Sequence, residues 1–259
     1  MKTRNTEAQA YFTKKASGYY QEHYGNINSK TFYPSLYLRH RYTLEMLDGL
    51  KPGKALDIGC GSGAMVKELL DRGYTVVAAD ISKDMLKATK KTVKGHPKEK
   101  NVIQYTQEDI ESMSFEPNTF DLIICTGVIE YLKTDKKAIQ EMTRVLRPGG
   151  IAFISSQNKT GPNMFVETAL KFIPKKVRDK LLTLQQHHNH VPWKLSKKLS
   201  KYGLETIDIS YHHFYPVPIP LDRLCKKFCV TAGKKMEVWH KKKWAWMLST
   251  GFIVMVKKK

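Results

Sequence analysis

A chain of 259 residues, 41% hydrophobic and 26% charged, can bury one substantial core and fits one α/β domain with additions better than two full domains. Its net charge of +20 is unevenly placed: residues 57–157 carry 14 basic and 14 acidic side chains, residues 1–56 carry 9 and 4, and residues 158–259 carry 21 and 6. The longest apolar stretch, Trp244 to Val256, is too short to span a bilayer and contains Ser249, Thr250 and Gly251, which excludes an integral membrane protein.

The N-terminal MKTRNTEAQAYF lacks the apolar core of a signal peptide, so a cytoplasmic location is expected. Four cysteines show no paired spacing of a secreted scaffold and fit a reducing compartment. Cys60 and Cys125 read as small buried residues. Cys225 and Cys229 stand i, i+4 on a helix without the partners of a zinc site. The basic flanks attract anionic lipid headgroups, nucleic acid or acidic substrates through one screened field, and they equally suit a well-solvated lysine-rich exterior.

In chain order, YFTKKASGYYQEHY gathers Tyr11, Tyr19, Tyr20 and Tyr24, and SLYLRHRYTLEML reads as a helix leading into the first strand. Then KALDIG (strand), AMVKELLDR (helix), YTVVAAD (strand), KDMLKATKKTV (helix), NVIQYT and FDLIICT (strands), DKKAIQEMTRVL (helix) and GGIAFISS (strand) follow one another. This alternation predicts a mostly parallel sheet covered by helices on both faces, with ligands outside the carboxyl ends of the strands. Arg147-Pro148-Gly149-Gly150 is expected to stop the helix at Leu146 and turn the chain into its fifth strand. After Ser156 a basic, aromatic stretch of about 35 residues reads as an insertion over the ligand face. Helix WKLSKKLSKYG, strand LETIDISYH and a last strand in WMLSTGFIVMVKKK complete the chain.

Within ALDIGCGSG, three glycines between a strand and a helix let a ligand approach the backbone and exposed helix N–H groups. That feature alone suits dinucleotides, flavins and S-adenosylmethionine alike. Asp57, two residues before the first glycine, narrows the choice: a carboxylate there repels a pyrophosphate and attracts a ligand bearing an ammonium and a sulfonium. Asp80 ends the second strand, where an acidic side chain reaches ribose hydroxyls, and Asp109 follows the third, where a carboxylate can accept from an adenine amino group.

With LDIGCGSG, the terminal acid of VVAAD, QEDIESMSF, FDLIICTGVIEYL and VLRPGG in place, the sequence resembles the class I S-adenosylmethionine-dependent methyltransferases across roughly residues 10–157. It looks most like the ubiquinone-pathway O-methyltransferase-like, small-molecule branch. The resemblance implies a Rossmann-like α/β fold: a mostly parallel seven-stranded sheet with an antiparallel last strand, helices on both faces, a helical N-terminal lid and a helical insertion after strand 5. It implies four regions: a lid at 1–50, a cofactor-binding core at 51–157, an amphipathic insertion at 158–192, and a completion of the sheet at 193–259. The cofactor would be S-adenosyl-L-methionine, with S-adenosyl-L-homocysteine as product. Its expected contacts are Tyr19, Arg39, Asp57, Gly59, Cys60, Gly61, Gly63, Asp80, Ile81, Met85, Asp109, Ile110 and Thr126. Arg39 stands 18 residues before Asp57, where that branch has a cofactor-binding arginine.

Methyl transfer from a sulfonium is an in-line displacement in which positioning supplies much of the rate, so few residues need be catalytic. The loop after the fourth strand would lie beside the methyl group. Where the ubiquinone branch has two glutamates and a histidine able to bind metal, this chain has Gly127, Glu130 and Tyr131, and no metal site is expected. Glu130, Tyr131, His188 and His212 are the candidate catalytic residues, the histidines drawn from His187, His188, His190, His212 and His213 because imidazole titrates near neutral pH. The insertion spaces Met164, Phe165, Ala169, Phe172 and Ile173 at helical intervals between lysines, which suits peripheral contact with an anionic membrane and entry of an apolar acceptor, or a lid over the sheet. The expected reaction is methylation of an oxygen, less readily a nitrogen, on a small or lipid-like metabolite. The alternatives are an RNA methyltransferase using the basic C-terminal surface and a non-catalytic cofactor-binding protein.

Overall fold

The computed structural model describes residues 4–16, 35–161, 189–217 and 225–259. Helices α1 (Arg4–Lys15) and α2 (Ser35–Leu47) precede a seven-stranded sheet. Its elements run β1 (Lys54–Ile58), α3 (Ala64–Asp71), β2 (Thr75–Asp80), α4 (Lys83–Val93), β3 (Val102–Gln107), β4 (Phe120–Cys125), α5 (Lys136–Val145) and β5 (Leu146–Gln157). Then come α6 (Pro192–Ser200), β6 (Leu204–Phe214), α7 (Lys226–Met236) and β7 (Ser249–Lys258). The strand order is β3-β2-β1-β4-β5-β7-β6, and β7 alone runs antiparallel, to both β5 and β6.

The central strands are apolar along their whole length because helices cover both faces. Alternation divides each strand between two cores: Leu56, Ile123, Ile154, Phe252 and Val254 join α5 and α6 on one face, and Ala55, Ile124, Phe153, Ile253 and Met255 join α2, α3 and α4 on the other. Each covering helix presents one stripe, such as Ala138, Ile139, Met142 and Val145 of α5. Ser82 starts α4 by accepting the Met85 N–H, a local cap that marks the helix start in the sequence itself.

One boundary differs from its expectation. Helix α5 ends at Val145, and Arg147-Pro148-Gly149-Gly150 lies inside β5 rather than in a turn. The register against β4 jumps from Phe120↔Leu146 to Leu122↔Ile151, so the Pro-Gly-Gly residues are taken up as a bulge while pairing continues.

Two buried polar networks fasten the periphery. The Glu237 carboxylate accepts from Tyr42 Oη at 2.6 Å and from the His213 N–H at 3.0 Å, joining α2 to the end of β6. On the opposite face, Ser156 Oγ meets His190 Nδ1 at 2.7 Å, His190 Nε2 meets Asp135 at 3.1 Å, and Lys198 also binds Asp135. Burial opposes the Asp135 charge, but hydrogen bonds from His190 and Lys198 outweigh it and hold the carboxyl well below the usual carboxylate range. This second network pins His190, which bridges to Asn158 just past the end of β5. Among the described residues no helix is long and apolar enough to cross a membrane.

Candidate functional site

The carboxyl ends of β1, β2 and β4 converge on the glycine loop. Gly59, Gly61 and Gly63 have φ of 78°, 55° and 84°, in the left-handed region that favours glycine. At Gly59 a side chain is excluded twice over, since a Cβ would come within 2.4 Å of Val128 Cγ2. The loop is thereby drawn against the segment after β4. Gly59 and Cys60 donate to the Ala79 carbonyl, and Gly61 donates to Asp80 Oδ2 at 3.0 Å. From α4, Thr89 Oγ1 donates to the Gly61 carbonyl at 2.8 Å and lies 3.3 Å from Cys60 Sγ.

Asp57 is 2% exposed, and its Oδ2 has no hydrogen-bond partner among the described residues. Burial, helped by the neighbouring Asp80 charge, pushes its pKa up to about 8. An orphaned carboxylate oxygen at the mouth of a glycine loop lacks a cation, and an α-ammonium or sulfonium is the complementary group. Asp80 is different: its two oxygens already accept from Gly61 and Ser82 N–H groups, leaving further lone pairs for hydroxyls. Burial raises its pKa although those N–H groups work against the shift.

The other expected cofactor contacts surround this centre. Ile81 is half-buried, and its carbonyl accepts from Gln9 of α1 and from Gln107. Met85 and Ile110 are buried, and Thr126 is half-buried directly after β4. Asp109 forms a bridge with Ser112, and its Oδ1 accepts the Glu111 N–H. The Arg39 guanidinium lies across Gly127, whose Cβ would fall 2.4 Å from Nη1. Gly127 (φ 75°) in turn donates to Ser155 Oγ at 2.8 Å. The residues present therefore fit S-adenosylmethionine: a cation site at Asp57, hydroxyl acceptors at Asp80, and a guanidinium for a carboxylate.

Of the candidate catalytic residues, Glu130 is 4% exposed and its Oε2 accepts the Gln157 N–H at 3.1 Å, tying the loop after β4 to the end of β5. Tyr131 meets Phe12 of α1 edge to face with centroids 5.1 Å apart. His212 is buried at the end of β6, and His190 belongs to the Asp135 network on the opposite face. His213 (φ 60°) lies 2.5 Å from Thr250 Oγ1. Tyr19, His187 and His188 lie outside the described residues. Among the described residues no group of three or more His, Cys, Asp or Glu side chains is placed to hold a metal ion.

Several contributors were absent from the sequence reading. Thr13 Oγ1 lies 2.9 Å from Ser82 Oγ, so α1 is fastened to the β2 side of the crevice through Gln9 and Thr13 and to the β4 side through Phe12. Ser155 and Thr89 hold the two loops by single hydroxyls. A threonine on one face of a helix carries no signal that it will back a loop 28 residues away.

Residues 56–154 match the profile of the methyltransferase domain family. A ubiquinone biosynthesis O-methyltransferase from Aliivibrio fischeri is 28% identical over 188 residues, which span 70% of this chain and 76% of that protein. One from Vibrio parahaemolyticus is 27% identical over 188 residues, 70% of this chain and 75% of that protein. Among solved structures, magnesium protoporphyrin IX methyltransferase from Synechocystis, with bound SAH, superposes with a TM-score of 0.64 over 98% of this chain and 99% of its own at 15% identity. A 4+2 cyclase superposes equally well, with a TM-score of 0.65 over 99% and 97% at 16% identity, so the fold alone does not choose the reaction. The sequence match does choose it: residues 56–154, which begin at the glycine loop, match a methyltransferase domain, and with the O-methyltransferase relatives they support a class I S-adenosylmethionine-dependent methyltransferase.

Proposed function

We propose that the enzyme methylates an oxygen of a small or lipid-like acceptor with an apolar body. The observation that carries this reading is the rim of the crevice, where Phe12 and Tyr131 stand edge to face between α1 and the loop after β4. Aromatic rings offer a planar apolar acceptor stacking and burial without demanding charge. Two curated relatives are named as O-methyltransferases, which supports oxygen over nitrogen. Bound, the cofactor supplies an electrophilic methyl group on a sulfonium. Asp57 and Arg39 would hold its ammonium and carboxylate, Asp80 and Asp109 its ribose and adenine, and the α1 contacts would close the crevice against water. Glu130 then acts by fixing the loop that faces the methyl group, and Tyr131 by lining the acceptor side.

Incubation of the enzyme with methyl-labelled S-adenosylmethionine and fractionated cell extract is expected to label the lipid or small-molecule fraction. Label confined to RNA would overturn this reading and favour the basic C-terminal surface as a nucleic-acid footprint. The division into a lid at 1–50, core at 51–157, insertion at 158–192 and sheet completion at 193–259 belongs to the same proposal. So does contact of the insertion with an anionic membrane: the chain is expected to sediment with vesicles containing phosphatidylglycerol and not with purely zwitterionic ones, and equal recovery from both would sink that part.

A further inference from the structure

His212 breaks a rule of the core that surrounds it. It stands on β6 with 4% of its surface exposed, and neither ring nitrogen has a hydrogen-bond partner among the described residues. A neutral imidazole has one donor and one acceptor, and each is costly when buried unpaired. An apolar side chain would avoid that cost, because the core on this face is built from Phe153, Ile253 and Met255. Room for the ring is nevertheless provided by a second strand. Gly251 of β7 lies opposite His212, and a Cβ there would come within 2.3 Å of the ring Cε1.

Its place in the sheet separates it from the donor site. His212, Gly251 and Gln157 lie side by side at the carboxyl end of β5, and β6 is four strand spacings from β1, about 19 Å. The glycine loop and Asp57 thus lie on one half of the carboxyl edge of the sheet and His212 on the other. Arg39 stands between the halves: its guanidinium covers Gly127 after β4, and its charge reaches the imidazole. Burial, that charge and His213 hold the ring far below its usual pKa, so it is neutral and a weak base at neutral pH. Recognition, rather than proton abstraction, is what such a ring can do.

We propose that His212 is an acceptor-binding residue that hydrogen-bonds a hydroxyl on the methyl acceptor, and that its neutral ring selects an oxygen-bearing head over an ammonium. A hydroxyl satisfies a neutral imidazole as donor or as acceptor, and its oxygen is tolerated beside a guanidinium. An ammonium there would be buried against a neutral ring, with the Glu130 and Glu237 carboxylates already engaged by backbone N–H groups. The inference rests on the oxygen-acceptor reading above and names the residue that enforces it.

Two matched probes, 4-butylphenol and 4-butylbenzylamine, test it by calorimetry on protein saturated with S-adenosylhomocysteine. Wild type is expected to bind the phenol and not the amine. His212→Phe, which keeps a ring over Gly251, is expected to weaken phenol binding at least 10-fold while changing S-adenosylhomocysteine affinity less than 2-fold. In wild-type protein, the His212 ring nitrogen resonances are expected to move on addition of the phenol and to stay in place with S-adenosylhomocysteine alone, which removes dependence on the variant folding. Undiminished phenol binding by His212→Phe, or unmoved resonances, overturns the role of His212 and leaves oxygen methylation standing. Wild type that takes the amine and refuses the phenol overturns both.

Discussion

Asp57→Asn is expected to weaken S-adenosylhomocysteine binding about 10- to 100-fold at pH 8.5, the loss of one buried charge-assisted contact of about 1.5–3 kcal/mol. The ratio should shrink at pH 6. The reason is the orphaned Oδ2 and the carboxyl pKa of about 8 without ligand. Below that pH the wild-type group is largely neutral and must release a proton before it can meet a cation, so wild-type affinity climbs with pH up to about 8 and then levels. The asparagine variant lacks that climb. Calorimetry across pH 6–9 checks both slopes, and a wild-type affinity independent of pH would refute the assignment of Asp57 as the cation site.

The same carboxyl has an opposite effect on the empty fold. Its folded pKa lies above the ordinary value of 3.8, so between about pH 4 and pH 8 the unfolded chain has given up a proton that the folded chain retains. Stability is greatest below this window, falls as pH rises through it, and stays reduced above it. Asp57→Asn should therefore raise the melting temperature of the ligand-free protein at pH 8.5 while lowering its affinity. A site kept costly until its ligand arrives is a familiar exchange of stability for function.

That site was legible in the sequence because its parts are local. ALDIGCGSG joins a strand end, three glycines of positive φ and a helix start within a few residues, and Asp57 is read from its place in the same run. Strands β1, β2 and β4 and helix α4 were equally plain, since two-sided burial writes continuous apolar runs and Ser82 marks a cap. The Pro-Gly-Gly bulge in β5 misled, because those residues punctuate turns and bulges alike and only pairing with β4 decides between them. In the sequence His212 is a candidate catalytic residue only on the ground that imidazole titrates near neutral pH, which it shares with four other histidines. What sets it apart is the glycine opposite it on β7, and strand register cannot be read from one strand.

Glu237 marks the far limit of legibility, and Glu237→Ala is expected to have the largest effect on stability of any single change outside the core. The carboxylate accepts from Tyr42 Oη, 195 residues earlier in the chain, and from the His213 N–H, with Phe214 N–H at 3.4 Å. Its removal strands these buried donors, at a cost of about 3 kcal/mol or more, which corresponds to a fall of about 6–12 °C in melting temperature. Tyr42→Phe loses one of these bonds and should cost about 1–2 kcal/mol. Burial, followed by the Glu237 charge, drives the Tyr42 pKa far above its usual 10. The unfolded chain ionises there while the folded chain does not, so this residue's support is intact below pH 10 and is lost as pH rises beyond it; Tyr42→Phe should flatten that decline. Function follows from the same geometry, because Arg39 lies on α2 three residues before Tyr42 and His212 lies beside His213 on β6. One glutamate thus holds two elements in register: the helix that carries the guanidinium and the strand that carries the imidazole. Glu237→Ala should weaken binding of both S-adenosylhomocysteine and 4-butylphenol, whereas His212→Phe weakens only the second, and titrations of the two variants side by side separate a residue that orders the crevice from one that touches the acceptor.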